Sequence, residues 1–147
     1  MHGLKKDVLV KVRGTQTNDL GEQDSIELIT EGRFFIRDQH YYILYNETCL
    51  SGMEGTTTSL KVEPRRVTLN RMGTAEQKTT FETGILNYSF YVTPYGTMRI
   101  SVLPSKVEVD LTERGGSINL EYELQVGQEK ISNNQLEITI QHLENPV

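Results

Sequence analysis

Arg71 is the residue whose position in this sequence first points to chemistry. Side chains two apart on a β-strand share a face, so Arg71 falls with Val67 and Leu69. By the same parity Gln77 and Thr79 fall with Phe81, and Thr56 and Thr58 fall with Leu60 and Val62. If those apolar residues face a core, polar groups face it with them. A buried guanidinium has to be paired by a carboxylate, by carbonyls or by a ligand anion, because an unpaired buried charge is too costly. One expectation is therefore an acidic head group held by Arg71, with Thr58, Thr79, Tyr45, Tyr91 and Glu47 as further contacts. The competing reading is structural. Arg71 then sits near a strand end, its head reaches solvent, and Glu82 or Glu47 pairs with it.

The other chemistry-bearing residues give weaker signals. Tyr41, Tyr42, Tyr45, Tyr88, Tyr91, Tyr95 and Tyr122 all fall in or beside strand-like segments. They could line a pocket, but strand tyrosines more often fill space and hydrogen-bond locally. Lys61, Arg65, Arg66 and Arg71 surround Pro64. Strand parity spreads them over two faces, which favours a solvated turn over an anion site. Cys49 has no histidine in its own loop, and a thiol nucleophile needs a base close by. His2, His40 and His142 lack ligand spacing, so no metal site is expected. There is no nucleophile elbow, phosphate loop or dinucleotide fingerprint, so no catalytic residues and no cofactor are assigned.

The elements that must position these residues are short and alternate with turns. Val8, Val10 and Val12 open the pattern, and Ile26 and Leu28 continue it before Gly32, which reads as a bulge or sharp bend. His40 to Glu47 carries apolar residues on both faces and is expected to be covered, at least in part, on both. Thr48 to Gly55 reads as a loop. Strands follow around Leu60, Leu69 and Thr79. Leu86, Tyr88, Phe90 and Val92 then alternate with Asn87, Ser89 and Tyr91, one face buried and the other less so. Pro94-Tyr95-Gly96 turns this segment into Met98, Ile100 and Val102. Leu103-Pro104-Ser105 bends the chain again, Arg114-Gly115-Gly116 is a hairpin turn, and Ile118 to Val126 gives the cleanest alternation. No window shows helical periodicity.

About ten strands at this spacing define an all-β domain. Connections this short favour neighbours in sequence, hence an antiparallel up-and-down meander. An open meander of that length leaves two exposed edges, and closure into a barrel removes them. A Greek-key sandwich is the rival, with the loop around Cys49 and Met53 as its one candidate crossover.

Tyr42 to Glu47, Ser51-Gly52-Met53, Thr58 to Val62, Arg71-Met72-Gly73, Phe81-Glu82-Thr83-Gly84, Tyr91 to Gly96, Gly116 to Tyr122 and Asn134 together resemble the YwiB-like family. These pieces span nearly the whole chain in the family's order. The resemblance implies a calycin-type, lipocalin-like barrel in the bacterial cytoplasm, and it brings no catalytic residues.

Composition limits the function classes. The chain has 147 residues, read as a single domain over 1–147, and a net charge of −5 from 15 basic and 20 acidic residues. That balance argues against a nucleic-acid surface. No apolar run reaches the ~20 residues of a membrane helix, and the N-terminal segment does not read as a signal peptide. The lone cysteine excludes an intramolecular disulfide, which fits a reducing cytoplasm. The expectation is a non-catalytic binding protein holding a small, partly apolar ligand in the barrel. The alternative is an interaction module with a filled barrel that contacts a second copy, as a homodimer, or another partner. A small enzyme centred on Glu47 and Arg71 comes third.

Overall fold

The computed structural model describes residues 5–48 and 53–143, and every described element is a strand or a connection between strands. In chain order these are β1 (Lys5–Asn18), β2 (Gln23–Arg37), β3 (His40–Asn46), β4 (Thr56–Glu63) and β5 (Arg66–Gly73). They continue with β6 (Gln77–Phe81), β7 (Asn87–Thr93), β8 (Gly96–Thr112), β9 (Gly115–Val126) and β10 (Glu129–His142). They form one ten-stranded sheet in the order β6-β5-β4-β3-β2-β1-β10-β9-β8-β7, with every ladder antiparallel. Every neighbour is also a sequence neighbour except β1 and β10. The first and last strands therefore close the meander, from Val8 opposite His142 to Asn18 opposite Ser132. No crossover of the Greek-key kind is present in this order.

Closure is complete everywhere except between β6 and β7. Those two strands share one bridge, in which Glu76 and Val92 exchange backbone hydrogen bonds of 2.9 Å. Side chains complete the seam. The Thr80 amide donates to Asn87 Oδ1 at 3.1 Å, and the hydroxyls of Thr79 and Ser89 lie 2.9 Å apart. Beyond the end of β6, the Gly84 amide donates to the Pro104 carbonyl at 2.8 Å.

Period-two alternation builds the core. Val8, Val10, Leu28, Phe34, Ile43, Leu60, Val62, Val67, Leu69, Phe81, Ile118, Leu120, Ile138 and Ile140 are buried together inside the barrel. Phe34 stacks on Tyr41 inside, at 5.4 Å between ring centroids, while Phe35 stacks on Tyr42 outside at 5.1 Å. The outer face of β3 is thus half-covered by a neighbouring ring, which explains why both its faces read as apolar.

Three local expectations change. Gly32 is neither a bulge nor a break, since register runs through it to both β1 and β3. It is small because a Cβ there would lie 2.6 Å from the Leu44 carbonyl oxygen and 2.7 Å from Val10 Cγ2. At Pro104 the expected bend takes the form of a bulge inside one strand. The ladder with β9 slips one residue between Pro104 and Lys106, a bulge that absorbs the missing N–H donor within one long β8. On β7 the buried face is the one carrying Ser89, while Tyr88 and Phe90 are 59% and 61% exposed. Hydropathy alone favours the reverse.

The turns follow their chemistry. Thr93 Oγ1 accepts the Tyr95 amide and donates to the Gly96 carbonyl, fixing the Pro94-Tyr95 hairpin. Gly116 has φ 139°, and a Cβ there would collide with the Asp110 carbonyl at 1.9 Å, so only glycine fits. The β2–β3 turn uses Asp38 and Gln39 at positive φ, the geometry of a type I′ hairpin without its usual glycine.

Candidate functional site

Register assembles the site. Tyr45 on β3 pairs with Thr58 on β4, Thr58 pairs with Arg71 on β5, and Arg71 pairs with Gln77 on β6. Four side chains from four strands therefore form one row across the inner wall. Along these strands the inner face is apolar at the β4–β5 hairpin, where Val62, Val67 and Phe81 line up, and polar at the other end.

Arg71 is the centre of the polar end. Its side chain is 19% exposed, and its Nε lies 3.8 Å from Oε2 of Glu47, whose side chain is 3% exposed. Nη1 donates to Gln77 Oε1 at 2.6 Å. The Gln77 amide donates in turn to Thr79 Oγ1 at 2.9 Å, and Thr79 meets Ser89 across the seam. On the other side, Thr58 Oγ1 donates to Glu47 Oε2. Arg71 Nε is buried and, among the described residues, has no hydrogen-bond partner. The guanidinium is thus paired in charge but short of acceptors.

Buried Tyr45 and half-buried Tyr122 face this centre. Burial first, and then the neighbouring Glu47 carboxylate, push the Tyr45 hydroxyl far above the usual phenol range, against the attraction of Arg71. Its hydroxyl interacts with Thr58 and Glu47. Tyr122 is raised by burial as well, opposed by its hydrogen bond with Asn134 and by the charge of Arg71. Its ring packs on Phe81 at 4.9 Å. Both tyrosines are protonated at neutral pH.

Of the residues expected from sequence, Arg71, Glu47, Thr58 and Tyr45 come together, and Thr79 joins them through Gln77. Tyr91 has the inward parity and is half-buried beside the seam bridge, but takes no part in this hydrogen-bond chain among the described residues. Glu82, one proposed partner of Arg71, pairs instead with Arg66 at 3.8 Å. Arg66 also reaches Glu63 at 3.7 Å, so the basic cluster around Pro64 divides, with Arg66 in surface ion pairs and Arg71 paired inside. Cys49 and its neighbours 50–52 lie outside the described residues. Sequence reasoning named Tyr122 only as one of seven tyrosines that could line a pocket, and gave no role at the site to Ser89 or Asn134. The signal for Tyr122 was its place in the even-numbered row of β9 with Ile118 and Leu120, both buried.

A pocket of about 440 Å³ reaches this cluster at the β6–β7 seam and includes Arg71, Gln77 and Ser89 in its lining. A second, of about 560 Å³, lies beside Pro104, Tyr122 and Asn134. No helix among the described residues is long and apolar enough to cross a membrane.

An all-β, ten-stranded antiparallel barrel with a polar inner row is the class of protein that this fold defines. The chain belongs to the family described as a domain of unknown function (DUF1934), whose model matches residues 10–138. It is 28% identical over 112 residues to the uncharacterized beta-barrel protein YwiB of Bacillus subtilis (strain 168), covering 76% of this chain and 78% of that one. The crystal structure of the YwiB protein from Bacillus subtilis shares the fold with a TM-score of 0.86 at 23% identity, over 95% of this chain and 94% of that one. The resemblance read from the sequence is therefore the family found. Neither relative's description assigns a ligand or a reaction.

Proposed function

We propose that this barrel is a non-catalytic, cytoplasmic, calycin-like binding protein that holds a small, partly apolar molecule by an acceptor-rich, acidic group on Arg71. The observation that carries this reading is the buried Arg71 Nε, which has no hydrogen-bond partner among the described residues, on a guanidinium that lines a pocket of about 440 Å³. A charged donor left short of acceptors in a pocket is suited to a carboxylate or a related anion. Glu47 supports binding over catalysis. Its oxygens already engage Thr58, Tyr45 and Arg71, so it is committed to holding the site together.

A thermal-shift screen tests the reading. At about 100 times its Kd, a bound small carboxylate adds about 2.7 kcal/mol, roughly 5–10 °C in melting temperature for a chain of this size. Amines of the same skeleton give no shift. If carboxylates and amines behave alike across the screen, the reading is wrong.

A second reading is supported by the exposed outer set Met72, Ile85, Tyr88 and Phe90, which would suit an interaction module and a homodimer. Sedimentation across a wide concentration range separates the two, because a dimer through this face dissociates on dilution.

A further inference from the structure

A continuous β-ladder separates inward from outward side chains, so the two sets can share a pocket only where the wall is open. They share one here. Arg71, Gln77 and Ser89 belong to the inner face, Met72, Phe90 and Val92 belong to the outer face, and all six line the same pocket. It lies at the β6–β7 seam, which among the described residues is held by a single bridge. The opening is too narrow for an added strand, because Glu76 and Val92 already exchange both their hydrogen bonds.

We infer that ligand reaches Arg71 through the side of the barrel at this seam, and that it is an amphipathic acid with its head inside and its apolar tail outside. The inference rests on the Arg71 reading. The head group meets Arg71 and the Gln77–Thr79–Ser89 hydroxyl and amide chain. The tail lies across Met72, Phe90 and Val92, of which Met72 and Phe90 are more than half exposed. Lys78 and Glu76 stand on the rim with opposite charges, so the preference for an anion comes from Arg71. An aqueous mouth would instead select for the whole molecule's fit and would leave Phe90 untouched.

The chain has no tryptophan, so Phe90→Trp places a single fluorescent reporter on the outer lip. Straight-chain alkyl carboxylates of four to twelve carbons are titrated into this variant, and thermal shift is measured in parallel. The expected result is a saturable change in emission, affinity rising about fourfold per methylene while the tail still has surface to cover, and loss of binding in Arg71→Gln. Phe90→Ser and Met72→Ser, both at exposed positions, weaken the longest acids about tenfold and leave the shortest unchanged. These two variants carry the test if Arg71→Gln fails to fold. Should the carboxylates stabilise the protein in an Arg71-dependent way while Phe90→Trp stays silent and Phe90→Ser has no effect, the Arg71 site survives and the side entry does not. Should no carboxylate bind, or should binding be the same in Arg71→Gln, both readings fail together.

Discussion

Glu47 and Arg71 form an ion pair that is mostly withdrawn from water, so each is costly without the other. Arg71→Met is expected to destabilise the fold by about 3 kcal/mol, because the Glu47 carboxylate is then buried without its cation. The double variant Glu47→Gln/Arg71→Met should cost less than the sum of the singles. Urea denaturation of the full cycle measures this, and simple additivity would mean the pair is not coupled. Tyr45 and Tyr122 make a pH prediction. Both are held protonated in the fold above the pH at which an unfolded tyrosine ionises. Their contribution is complete below about pH 10 and is lost as pH rises beyond it, since only the unfolded chain releases those protons. Stability should therefore fall as pH rises past that point, through both groups. In an ultraviolet titration the phenols of Tyr45 and Tyr122 should ionise only as the protein unfolds. The inward placing of Arg71 was legible because β5 keeps strict parity. That of Ser89 was not, because Tyr88 and Phe90 suggest the opposite face and nothing in one strand's sequence says that its wall is interrupted.

At the level of the strands, most boundaries follow from turn chemistry, and the misreadings share a cause. In isolation Gly32 reads as a bulge or sharp bend and Pro104 as a bend between strands, yet each sits within a long strand whose partners hold it in place. Local propensity signals a weak point, and tertiary pairing decides whether the strand ends there. Gly32 answers to a close approach between β1 and β3 that only folding creates. Gly32→Ala should therefore cost about 1–3 kcal/mol, through displacement of the Leu44 carbonyl and the Val10 side chain. A denaturation midpoint unchanged from the parent protein would contradict this. The backbone of Tyr45 pairs with Gly32, so the same substitution should also lower affinity for any ligand held at Arg71.

For the barrel as a whole, the meander and its closure by β1 and β10 were readable from alternation and from the cost of two free edges. The seam between β6 and β7 was not. Consecutive strands with a short link ordinarily pair, and here only one backbone bridge and a few side-chain bonds join them. Amide hydrogen exchange should expose the difference. The β1–β10 ladder should exchange only through global opening, whereas amides of β6 and β7 that face the seam should exchange through local opening. Uniform protection around the whole circumference would show the wall to be sealed. The pairing of β1 with β10 also sets Val8 beside His142, so the two outermost strands of the polypeptide run side by side. A circular permutant with a linker running from the end of β10 to the start of β1, and a new start between Gly84 and Ile85, would begin at β7 and finish at β6. It would keep every ladder of the parent, because the cut falls where the circumference is already almost unstitched.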